Sequence, residues 1–136
     1  MKPREKIKEL KQMLREYESI SPTSLANFSN DLRQKAAGER YFEKIVECTV
    51  DLAIIAIKQL DLRIPENDTQ AFETLAKHKA ISEETAYAMQ HAKSMRNLIV
   101  HQYGNVDDKK VYTALTKELP RDAAKFIKEI EKVFEK

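Results

Sequence analysis

The chain has 136 residues, with 24 Lys and Arg against 22 Asp and Glu, a formal charge of +2, and only 2 Gly, 4 Pro and no Trp. Its length fits one domain over residues 1–136 with a real core, and its composition, 42% hydrophobic and 34% charged, excludes collagen-like and disordered classes and argues against β-sandwiches. The balanced charge makes no global positive field, so contact with a polyanion has to be local or assembled by oligomerisation.

Ile7, Leu10, Leu14 and Tyr17 recur at spacings of three and four and predict a first helix over about 4–19. Ser21 with Pro22 predicts a capped turn, followed by apolar contacts from Leu25 and Phe28. A long central helix is expected from about Asp31 to Leu60, where Phe42, Ile45, Val46, Thr49, Leu52, Ala53, Ala56, Ile57 and Leu60 make one broad apolar face. It should end before Ile64-Pro65, because a residue that precedes proline resists helical geometry.

Asn67, Asp68 and Thr69 offer caps for a shorter helix that holds Ala71, Phe72, Leu75 and Ala76. Ser82, followed by Glu83 and Glu84, is a strong start for the next one, which is expected to carry Ala88, Ala92, Met95, Leu98 and Ile99 inward and to stop at Gly104. Val111, Tyr112, Leu115 and Leu119 predict a further helix that Pro120 breaks or kinks, and Ala124, Ile127, Ile130 or Glu131, and Phe134 mark a final amphipathic one. The expectation is an all-α bundle of five or six antiparallel helices.

A lone cysteine, Cys48, precludes an intrachain disulfide and a thiolate zinc site built from this chain. With no adjacent His to activate it, Cys48 reads as packing. The start of the chain carries charge but no apolar signal core, and no stretch approaches the ~20 apolar residues that span a bilayer, so a cytoplasmic protein without membrane contact is expected. His78 reads as a surface residue, and His91 lacks a metal-ligand partner at a suitable spacing. No Gly-rich phosphate loop is present, and no metal or other cofactor is expected.

One constellation carries chemistry: Arg96, Asn97, His101 and Tyr103 within eight residues, at the end of the fourth long helix. A bland reading of His101 is a favourable interaction with the helix dipole. The chemical reading is RNA cleavage, in which a 2′-hydroxyl attacks the neighbouring phosphate and the site supplies a proton acceptor, a proton donor and positive charge, with no metal required. His101 moves protons near neutral pH, and Arg96 offers phosphate a planar fork of donors. Asn97 can orient the imidazole, and Tyr103 can stack on a base or donate a hydrogen bond. At 100° per residue Arg96 and His101 lie about 140° apart, so one straight helix does not converge them on one phosphate. Either the helix bends, or two copies share a cleft across a two-fold axis; the shared cleft is favoured, since a symmetric dimer also doubles the local charge.

The spacing Arg96, four residues, His101, one residue, Tyr103 resembles the R-x4-H-x-Y motif of HEPN toxins of the HepT type. Glu39-Arg40-Tyr41-Phe42 leading to Val46-Glu47-Cys48-Thr49-Val50-Asp51-Leu52-Ala53, and Leu62-Arg63-Ile64-Pro65-Glu66 followed by Ala71-Phe72-Glu73-Thr74-Leu75, are similar to other segments of that family. The likeness spans roughly residues 4 to 134; Met95 stands where the family commonly has Phe. It implies a HEPN-type bundle, a homodimer, and a metal-independent endoribonuclease toxin of a type II/VII-like toxin–antitoxin pair, with Arg96 and His101 catalytic. It also implies a minimal nucleotidyltransferase (MntA-like) antitoxin able to transfer AMP to Tyr103. The rival from another class is a non-catalytic helical module that docks such a nucleotidyltransferase.

Glu47 and Asp51 are spaced i, i+4 on the central helix, where like charges cost about 0.2–0.5 kcal/mol. They read either as a solvated stripe with Arg40, Lys44 and Lys58, or as supporting groups of which one orients Arg96 or the substrate.

Overall fold

The computed structural model describes residues 2–102 and 107–135, Gln102 by its backbone alone. Every regular element among them is helical: α1 (Pro3–Ile20), α2 (Leu25–Asn30), α3 (Leu32–Gln59), α4 (Asp68–Lys77), α5 (Glu83–Gln102), α6 (Asp108–Thr113), a π-helical turn (Ala114–Glu118), α7 (Leu119–Glu131) and a 3-10 turn (Lys132–Phe134). The last four follow one another without interruption, so the described residues form six rods, within the expected five or six.

α3 is the axis, packed by α1, α2, α4, α5 and α7. Its apolar face is broad because neighbours cover it on several sides: Phe42, Ile45, Val46, Leu52, Ala53, Ala56 and Ile57 are all buried. Burying each large side chain contributes about 1.5–3 kcal/mol. Near its start α3 passes close to the π-helical turn, and a Cβ on Gly38 would stand 3.1 Å from Leu115 Cδ1, tighter than side-chain contacts normally run. Against α1, Cys48 Sγ donates weakly to Lys6 O at 3.8 Å, and burial pushes the thiol pKa up to about 12. Lys6 Nζ reaches Asp51 at 3.0 Å across the same contact.

Helix starts follow the sequence closely. Asp31 Oδ1 accepts from the N–H groups of Arg33 and Gln34, Asn67 Oδ1 from Gln70 N, and Ser82 Oγ from Thr85 N. Glu129 of α7 adds a long-range cap to α5, accepting from Ser82 N and Thr85 Oγ1 at 2.5 Å each. The exception is α2, capped by Ser24 rather than Ser21. The end of α3, at Gln59, also falls where it was expected. α3 and α4 close in the same way, with Leu62 N–H on Ile57 O and Asp61 N–H on Lys58 O in one case, and Ala80 N–H on Leu75 O and Lys79 N–H on Ala76 O in the other. Both place a left-handed residue, Asp61 (φ 57) and Lys79 (φ 62), where glycine is usual.

Four expectations are corrected. Pro120 does not break the final rod: Leu119 N–H bonds back to Ala114 O, and the widened turn relieves the clash that the pyrrolidine ring would make with the carbonyl four residues earlier. Ala123, not Ala124, is buried beside Phe126, Ile127 and Ile130. On α1, Met13 is buried and Leu14 only partly so. Leu98 is 44% exposed instead of facing the core. The expected stop at Gly104 lies outside the described residues.

Two outcomes test these features. Lys79→Gly removes a Cβ from a left-handed position and is expected to stabilise the fold by roughly 0.5–1 kcal/mol, read as a melting temperature a few degrees higher; an unchanged or lower value contradicts the strain. Cys48 is expected to resist alkylation at pH 8 in the native protein and to react once it is unfolded, and rapid native labelling would contradict its burial.

Candidate active site

α5 packs against α3, α4 and α7, and buries Thr85, Met89, Ala92 and Met95. Arg96 continues that inward stripe, four residues after Ala92 and seven after Met89, so a charge occupies a register that otherwise carries core residues. Its side chain is only 18% exposed. A guanidinium so far out of water needs counter-charge, and α3 supplies it: Arg96 Nη2 donates to Glu47 Oε1 at 2.7 Å and lies 3.9 Å from Glu43 Oε1. Nη1 donates to Asn97 Oδ1 at 3.2 Å, and Nε is buried without a partner. Glu43 is held in turn by Arg40 Nη1 at 3.2 Å, one turn earlier on α3.

The site residues proposed from sequence therefore separate into groups. Glu47 meets Arg96 across 49 residues of chain, whereas Asp51 turns to Lys6 and α1. Asn97 touches Arg96 rather than His101 among the described contacts. His101 is exposed in the last turn of α5, on the face opposite Arg96 and in line with the exposed Leu98 and Tyr87. Tyr103 lies outside the described residues.

Sequence reasoning passed over Glu43. The signal was present, since Glu43 and Glu47 are an i, i+4 pair with Arg40 three residues before the first, but nothing local says that a distant arginine bridges both. No cluster of three or more His, Cys, Asp or Glu suited to a metal occurs among the described residues. No helix among them is long and apolar enough to cross a membrane.

Chemically, the arrangement offers a fixed guanidinium with one edge neutralised by carboxylates and the other edge bonded only to a neutral amide. A phosphate oxygen can displace that amide, because a bond with charge on both partners is stronger than one from the guanidinium to a neutral acceptor. An exposed imidazole sits little more than one turn away along the helix.

The chain is 32% identical over 91 residues to a candidate RNase of Archaeoglobus fulgidus, covering 67% of each chain. It is 24% identical over 103 residues to the tRNA nuclease HepT of Aphanizomenon flos-aquae, covering 76% of this chain and 68% of that one. Its fold superposes with a TM-score of 0.87 on a tri-AMPylated HEPN toxin of Shewanella oneidensis in complex with MNT antitoxin, at 20% identity and with 97% and 99% of the two chains covered. The family described as Ribonuclease HepT-like matches residues 5–130, and the chain belongs to that family.

Proposed function

We propose that the protein is a metal-independent endoribonuclease toxin in which Arg96 and His101 act on one scissile phosphodiester, in a cleft shared by two copies of the chain. The observation that carries this reading is the division of α5. Arg96 is anchored inward on Glu47, while His101 points to solvent on the opposite face beside the exposed Leu98. A single chain does not bring the two groups to the same atom; a second copy supplies the missing one, and apolar Leu98 and Tyr87 on the His101 face suit coverage by another protein surface.

In the reaction, an imidazole accepts the 2′-hydroxyl proton as that oxygen attacks phosphorus. The Arg96 guanidinium stabilises the charge gathering on the non-bridging oxygens. The 5′-oxygen leaves with the proton that this imidazole has taken up, giving a 2′,3′-cyclic phosphate and a free 5′-hydroxyl. Glu47 and Glu43 are positioning residues that fix the guanidinium, and Asn97 keeps its outer edge occupied until substrate arrives.

The antitoxin is proposed to be of the MNT nucleotidyltransferase type, as in the complex of the Shewanella oneidensis neighbour. Silencing by AMP transfer then runs through Tyr103: its phenol oxygen attacks the α-phosphorus of ATP, and pyrophosphate departs.

Arg96→Ala and His101→Ala are each expected to lower RNA cleavage by about 10²–10⁴-fold, with cleavage by the parent persisting in EDTA. Arg96→Lys, which keeps the charge for Glu47 but loses the planar fork, separates catalytic loss from misfolding. Mixing the two alanine variants should restore part of the activity, because one heterodimeric cleft regains both groups. Parental rates in either single variant, or a mixture as inactive as its parts, refute the shared site.

A further inference from the structure

Arg4, Lys8, Lys11 and Arg15 follow one another at spacings of four, three and four, all exposed, within about 60° on the surface of α1. Glu5, Glu9 and Glu16 of the same helix fall on a separate arc, and only Glu18 adjoins the cationic line, beyond its end. A helix whose sequence looks charge-balanced is thus split lengthwise into a basic and an acidic side. Between the basic side and the C-terminal segment runs a groove of about 420 Å³, with Phe134, Glu131 and Glu135 on its far wall.

Among the described residues, Arg4, Lys8 and Arg15 form no ion pair. Lys11 lies 3.4 Å from Glu131, an exposed pair of the kind worth at most about 1 kcal/mol and easily exchanged for another anion. The line of cations extends on the order of 16 Å along the axis, enough to follow successive phosphates of an extended strand.

We infer that this groove holds a single-stranded stretch of RNA away from the scissile bond, with phosphates along α1 and bases toward Phe134, an inference that rests on the nuclease reading above. The two unlike walls point to that occupant. An acidic protein surface would meet Glu131 and Glu135 opposite the cations, and a duplex presents phosphates on both sides. A single strand presents phosphates to one wall and, to the other, base faces that stack on an aromatic ring and base amino groups that donate to carboxylates. The groove lies on the flank of α1 away from the Lys6–Asp51 contact, so it is a holding site distinct from Arg96.

The test uses Lys8→Glu/Arg15→Glu and the neutral Lys8→Gln/Arg15→Gln in the full chain, each checked for an unchanged melting temperature. A fluorescent unstructured RNA is titrated onto His101→Ala protein carrying each pair, and cleavage of the same RNA is followed with His101 present. The expected result is a Kd and KM raised roughly tenfold with kcat unchanged, and a log–log salt dependence of binding shallower by about 1.4, two contacts at ~0.7 each. Arg63→Glu/Lys79→Glu makes the same charge change elsewhere and should leave Kd within about twofold. Equal losses at both places, or an unchanged Kd and salt slope in the α1 pairs while the parent still cleaves, overturn the groove alone. A parent protein that neither binds nor cleaves RNA removes the nuclease reading and the groove with it.

Discussion

A guanidinium does not leave water alone, and that constraint ties α5 to α3. Arg96 occupies a core-facing register, where an unpaired charge would cost several kcal/mol, so the two helices have to dock in the one alignment that brings Glu47 to it. Breaking the pair should cost less than the ~3–5 kcal/mol of a fully buried one, because Glu47 is 46% exposed. On the proposed reading, that exposure gives substrate its access. A pair sealed from solvent would hold the arginine equally well and leave no path to it for a phosphate.

The same contact explains why α3 has two characters. Its inward faces are apolar over most of their length, while one polar strip, Arg40, Glu43 and Glu47, runs along the edge met by the motif end of α5. Asp51, one turn further on, already belongs to the contact with α1 through Lys6. Burial is the largest single influence and opposes the charge on Lys6, yet the hydrogen bond to Asp51 and the neighbouring acidic groups together outweigh it and the pKa is raised. Within a single turn of α3 the carboxylate stripe passes from serving the candidate active site to fastening the first helix.

Much of the fold could be read from the sequence because local chemistry dictates it. Asn67 and Ser82 cap the helices they were expected to cap, and the long helix starts where expected, at Asp31, since an N-cap needs only a side-chain oxygen beside free N–H groups. Apolar spacing located the stripes of α3 and α4 for a similar reason. Leu98 misled because hydrophobicity was taken as direction: on α5 the inward position goes to Arg96, and only a partner on another helix makes that tolerable. The division of α1 into basic and acidic sides was equally present in the residue spacing, but counting charges along the chain averages it away.

The widened turn at Ala114–Glu118 carries a consequence for how this rod can vary. A π turn amounts to one additional residue in an otherwise ordinary helix, so shortening it by one would leave Val111 upstream and Phe126 downstream still aimed at the core. The pyrrolidine ring of Pro120 would then press against a carbonyl in a regular helical interior. The additional residue and the proline are therefore interlocked, and descendants of this sequence are free to lose both together but not the extra residue alone.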